Sequence, residues 1–195
     1  VAKIEKLAVY CGSAEGNNPR YVDAAYRFGG RLAGEGITLV YGGGNIGMMG
    51  QVAHGALDHG GRVIGIIPRD LVDKELALDK AELQLTGTMH ERKQALADQS
   101  DGFVALPGGF GTLDEFFEIL TWRQLGIHTK PCALYNISGF FDPLIGLIDH
   151  QVECGFVHPA YREDIIVSED PADLLERMSR FEPSIRENWM SPRER

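Results

Sequence analysis

Short apolar runs alternate with amphipathic stretches along most of this chain. The runs at 7–11, 37–41, 63–67, 102–106 and 132–135 are too short for helices and nearly continuous in apolar residues, which predicts strands buried on both faces. Shorter segments at 83–86 and 165–167 predict two more strands. Between them, helical periodicity predicts helices at 21–35, 48–59, 89–100, 112–125, 143–154 and 172–180. Pro19 stands near the start of the first helix and Gly60-Gly61 follow the second, where such residues commonly bound helices. Residues 69–80 are polar and poorly periodic, which predicts a loop with a short helical turn.

The alternation of strand and helix predicts an α/β fold, doubly wound in a modified Rossmann manner, with a mostly parallel sheet flanked by helices on both faces. Residues 1–180 read as one domain. Residues 181–195, with Pro183, Pro192 and several charges, read as a C-terminal tail whose Trp189 could dock on the body or on a partner subunit. Ligands of such folds bind beyond the carboxyl ends of the strands. The turns at 11–14, 42–47 and 107–112 each follow a predicted strand, so all three should open on one edge of the sheet.

The chain has 195 residues and a formal net charge of −9, which argues against a general nucleic-acid or anionic-membrane binder. No apolar run is long enough to span a membrane. Residues 1–10 carry charges and no long apolar stretch, so the expectation is a cytoplasmic protein without a secretory signal. Cys11, Cys132 and Cys154 are odd in number and widely spaced, which fits reduced thiols. The six histidines are scattered, and no metal-ligand spacing appears.

Two glycine-rich turns carry the candidate chemistry. Gly42-Gly43-Gly44-Asn45-Ile46-Gly47 satisfies GxGxxG, but it follows the second predicted strand, and Asp70 is a poorly placed ribose acid beyond Pro68. A turn lining a mononucleotide pocket fits it better than a dinucleotide site. Pro107-Gly108-Gly109-Phe110-Gly111-Thr112-Leu113-Asp114-Glu115 reads as a tight turn opening a helix. Backbone amides at a helix start favour an anion, and Glu115 falls in the first turn of the predicted helix, close to them. A phosphate cradle beside a carboxylate points to chemistry on a phosphorylated small molecule. The plainer alternative is a turn capped by Thr112, with Glu115 complementing the helix dipole. Arg92 and Lys93 are adjacent on a predicted helix and point about 100° apart, so one can face a pocket while the other faces elsewhere.

Residues 107–115 match the PGGxGTxxE motif of the LONELY GUY (LOG) family, and Met89-His90-Glu91-Arg92-Lys93 resembles that family's second motif. Cys11-Gly12-Ser13, Tyr41-Gly42-Gly43-Gly44, Thr121-Trp122 and Lys130-Pro131 are similar as well, and the resemblance runs from about Leu7 to Leu175. These are cytokinin riboside 5′-monophosphate phosphoribohydrolases, often misnamed lysine decarboxylases. The resemblance implies hydrolysis of the N-glycosidic bond of a nucleoside 5′-monophosphate to free base and ribose 5-phosphate. It implies no cofactor, a homodimer, and Glu115 and Arg92 as the catalytic pair. Gly109, Gly111 and Thr112 would hold the phosphate. Phe110, Leu113, Asp114, Lys93, Thr121, Glu75, Ser13, Met89, Gly43 and Gly44 complete the expected substrate-binding set. Pyridoxal-phosphate chemistry would need a Schiff-base lysine that nothing in the sequence marks.

Two other readings remain open. One is a broader nucleosidase acting on AMP and other purine nucleoside 5′-monophosphates with the same residues. The other is a nucleotide or molybdenum-cofactor carrier, whose relatives share this fold and its glycine-rich turns without requiring Glu115 beside Arg92.

Overall fold

Each apolar run becomes a strand, and the strands assemble into one seven-stranded sheet in the computed structural model, which describes residues 3–72, 78 and 80–184. The strands are β1 (Lys6–Tyr10), β2 (Thr38–Tyr41), β3 (Val63–Pro68), β4 (Glu82–Thr86), β5 (Gly102–Ala105), β6 (Cys132–Tyr135) and β7 (Ile165–Ser168). The helices are α1 (Pro19–Gly34), α2 (Gly47–Asp58), α3 (Met89–Asp98), α4 (Phe110–Gln124), α5 (Asp142–Glu153), α6 (Pro159–Glu163) and α7 (Pro171–Ser179). Every neighbouring pair of strands is parallel, so the sheet is wholly rather than mostly parallel. The five-residue α6 was not anticipated, because a segment that short carries no amphipathic period.

The strand order β4-β3-β2-β1-β5-β6-β7 places the reversal of winding between β1 and β5. Right-handed crossovers then send α1 and α2 to one face and α3, α4 and α5 to the other, while α7, which follows the last strand, returns to the face of α1 and α2. Phe28 of α1, Val52 of α2 and Leu174 of α7 pack with Leu7 and Leu39 on one face. Leu96 of α3, Phe116 of α4 and Ile148 of α5 pack with Ala8, Val40 and Phe103 on the other. Adjacent residues of one strand thus serve opposite layers, as the two-residue period requires.

Two contacts fix the outer elements. The segment after α7 returns to the body, where Phe181 packs against the first core layer and the Ser184 amide donates to Asp164. The remaining tail residues, Trp189 among them, lie outside the described residues. The α1–α2 crossing depends on glycine, since a Cβ on Gly29 would lie 2.0 Å from the Val52 carbonyl oxygen and one on Gly55 would lie 1.9 Å from that of Tyr26. Gly34 at the end of α1 has open space around it.

The same substitution should therefore change stability in opposite directions at two positions of one helix. Gly29→Ala is expected to lower the unfolding free energy by about 2 kcal/mol through overpacking. Gly34→Ala is expected to raise it by about 0.5 kcal/mol by restricting the unfolded chain. Urea unfolding midpoints of the two variants and the parent check both signs.

Candidate active site

The turns after β1, β2 and β5 reach the same edge because the strands are parallel, and β1 and β5 flank the winding reversal. The two central turns are joined, with the Gly12 amide donating to the Pro107 carbonyl at 3.1 Å. The start of α2 is used up by its neighbours. The Met48 amide donates to the Ala14 carbonyl at 3.4 Å and the Met49 amide to the Gly12 carbonyl at 3.2 Å. This approach requires Gly47, whose φ is +55° and whose Cβ would lie 2.3 Å from the Ser13 carbonyl oxygen. A helix start that already serves protein carbonyls offers no pyrophosphate cradle, so the GxGxxG match is structural.

The start of α4 is built differently. Its capping position is Gly109, which has no side chain to occupy the first-turn amides. Gly109, Phe110, Gly111 and Thr112 line a cavity of about 300 Å³, joined there by Ser13, Met89, Arg92, Asp114 and Glu115. The helix dipole and these amides favour a phosphate at this end.

Arg92 and Glu115 meet across that cavity. On α3, the Thr88 hydroxyl accepts from the Glu91 amide at 3.1 Å, and the Glu91 carboxylate accepts from the Gly87 amide at 2.7 Å. This two-way capping fixes where α3 begins and so which residue faces inward. Arg92 is the one turned inward. Its Nη2 lies 3.7 Å from Glu115 Oε1, with both side chains largely buried at 7 % and 12 % exposure. Arg92 Nη1 lies 3.7 Å from Met89 Sδ, and Arg92 Nε is buried without a hydrogen-bond partner among the described residues. A cation held this way retains donors for a ligand anion. Gly42 makes the arrangement possible, since a Cβ there would lie 2.0 Å from Arg92 Nη2.

Other expected residues fall elsewhere. Lys93 is absent from the cavity lining and bonds Asp114 Oδ2 at 3.2 Å and Glu118 Oε1 at 3.0 Å. Burial opposes the Lys93 charge, but the bonds to Glu118 and Asp114 outweigh it and hold the ammonium above the ordinary lysine range. Leu113 packs against the second core layer. Gly43 turns the chain with φ +82° and faces Ile67, and Gly44 is buried in the same turn. Thr121 donates to the Phe117 carbonyl and borders a separate cavity between α4 and α5. Glu75 lies outside the described residues. The sequence reading did not name Val9, Cys11, Gly12, Gly42, Met49 or Leu71 as site residues, and all six line the cavity. The run of three glycines pointed to Gly42 without saying which glycine the arginine needs.

The floor of the cavity disfavours further negative charge. Burial, followed by the charge of Glu115, raises the Cys11 thiol and holds the Tyr10 phenol well above its ordinary range. Both groups are therefore neutral, and Cys11 is no thiolate nucleophile. Among the described residues no group of three or more histidine, cysteine or carboxylate side chains is arranged to hold a metal.

Comparison with known proteins gives a consistent result. A family model described as "Possible lysine decarboxylase" matches residues 49–178. The cytokinin riboside 5′-monophosphate phosphoribohydrolase LOG of Oryza sativa subsp. japonica is 44% identical over 93% of this chain and 76% of its own length. LOG3 of Arabidopsis thaliana, of the same name, is 43% identical over 93% of this chain and 85% of its own length. Among solved structures, the molybdenum cofactor carrier protein of Chlamydomonas reinhardtii superposes with a TM-score of 0.66 at 22% identity, covering 92% of this chain and 100% of that one. The molybdenum cofactor binding protein of Rippkaea orientalis gives 0.65 at 24% identity, covering 90% of this chain and 96% of that one. At those identities the structures share the fold, while the sequence relatives share far more of the chain's residues, and on that ground the chain belongs to the LOG family of phosphoribohydrolases.

Proposed function

We propose that this protein hydrolyses the N-glycosidic bond of cytokinin riboside 5′-monophosphates, and of AMP, releasing the free base and ribose 5-phosphate. The observation that carries the reading is the buried Arg92–Glu115 pair in the cavity beside the open start of α4. The 5′-phosphate binds the first-turn amides of α4 and the side chain of Thr112. C1′ then lies near Glu115. As the C1′–N9 bond breaks, positive charge develops on the ribose, and the Glu115 carboxylate stabilises it and takes a proton from the attacking water. The water oxygen bonds C1′, and the proton that Glu115 took from the water is passed on to a nitrogen of the departing base, which returns Glu115 to its carboxylate. Arg92 stays protonated throughout, so it orients Glu115 and the ribose phosphate and does not act as a base. Val9, Met49, Leu71 and Met89 give the cavity apolar walls, which suits an adenine carrying an apolar N6 group.

The decarboxylase description of the family model does not fit these residues. Among the described residues no lysine lines the cavity, and the nearby Lys93 is committed to two carboxylates. Assembly as a homodimer is part of the proposal. Its support is the exposed apolar side chains Leu125 and Ile127 just after α4, Leu147 within α5 and Phe156 just after α5. Thr121 then faces the partner side rather than its own chain's cavity. No helix of the described residues is long and apolar enough to cross a membrane.

Chromatography of reactions with isopentenyladenosine 5′-monophosphate and with AMP tests the reading. Wild type should release free base from both, faster from the prenylated nucleotide, and Glu115→Gln should lower kcat by about 10³-fold or more. Tight nucleotide binding without base release would instead support a carrier. Gly42→Ala should displace the Arg92 guanidinium and cut kcat/KM by about 100-fold, with the far-UV circular dichroism spectrum unchanged.

A further inference from the structure

We infer that Lys93 is a positioning residue that clamps α3 to α4, holding Arg92 and Glu115 in register while making no bond to the substrate; the inference rests on the hydrolase reading above. The Arg92–Glu115 separation of 3.7 Å exceeds a hydrogen bond, so that contact alone fixes its geometry weakly. Lys93 makes the shorter contacts. Its ammonium, on a side chain only 11 % exposed, reaches Asp114 at 3.2 Å and Glu118 at 3.0 Å. Those two carboxylates are one turn apart on α4 and bracket Glu115. Among the described residues no backbone hydrogen bond joins α3 to α4. The consecutive residues Arg92 and Lys93 both reach carboxylates of α4. Set about 100° apart on α3, one reaches into the cavity and the other grips the helix that carries the carboxylate.

The clamp has an electrostatic consequence. Glu115 is faced by Tyr10 and Cys11 from β1 and by Arg92 from α3, and flanked on its own helix by Asp114 and Glu118. With the Lys93 charge removed, Asp114 and Glu118 stand uncompensated beside Glu115. Ionising Glu115 then becomes harder, and its titration moves to higher pH.

The test is steady-state base release from isopentenyladenosine 5′-monophosphate by full-length wild type, Lys93→Met and Lys93→Arg. Lys93→Met should lower kcat by about 10- to 100-fold with KM within about threefold, because misplacement of the pair affects the reacting geometry rather than binding. The acid limb of its kcat/KM profile should shift to higher pH. Lys93→Arg should recover most of kcat, since a guanidinium can bridge the same two carboxylates. If Lys93→Met fails to fold, Glu118→Gln carries the same test, with a smaller fall in kcat, unchanged KM and an acid limb shifted to lower pH because it removes one negative charge. A rise in KM of about tenfold at constant kcat would make Lys93 a substrate ligand and overturn the inference. Unchanged kinetics in Lys93→Met would overturn it alone, whereas absence of base release by wild type would overturn the hydrolase reading and this inference with it.

Discussion

A guanidinium buried beside a carboxylate is the constraint around which this site is built. Arg92 cannot lose its proton to escape the cost of burial, so the protein must supply compensating charge and room. Glu115 supplies the charge, and Gly42 supplies the room by omitting a side chain where the guanidinium lies. Removing either member of such a pair strands the other in a poorly solvated place. The capping of α3 by Thr88 and Glu91 matters for the same reason, since a shift of one residue would turn Arg92 out of the cavity.

The two glycine-rich turns show how similar sequences acquire different work. Both open helices at the same edge of the sheet. The amides of α2 are taken by the carbonyls of the turn after β1, which ties that turn down and builds one wall of the cavity. The amides of α4 begin behind a glycine with no capping side chain, which leaves that helix end for an anion. One turn is tied into the scaffold and the other is left open to the cavity, and the difference lies in what each set of amides meets.

The surrounding fold keeps these groups still. The site stands at the reversal of winding between β1 and β5, both buried centrally in the sheet. The helix α4, which carries Glu115, is anchored again at its far end. There Arg123 pairs with Asp164 in a buried contact and lies 4.6 Å over the ring of Phe181, while Ser184 bonds the same aspartate. Residues just after α7 thus brace the helix that carries Glu115, though the sequence read them as tail.

Much of this was legible in the sequence because it depends on local pattern. Continuous apolar runs of strand length require burial on both faces, and their alternation with amphipathic helices leaves few architectures besides a doubly wound parallel sheet. The motif at 107–115 and the Arg92-Lys93 pair likewise marked the catalytic candidates. Local pattern could not say which of Arg92 and Lys93 enters the cavity, that Gly42 rather than Gly43 or Gly44 borders it, or that Arg123 is buried against Asp164. Those outcomes are contacts between residues far apart in the chain. The sequence by itself determined the strands, the longer helices and the candidate residues they carry, and only the tertiary structure decided which groups meet, because hydrophobic periodicity is set by near neighbours while burial of a charge is set by whatever the fold brings beside it.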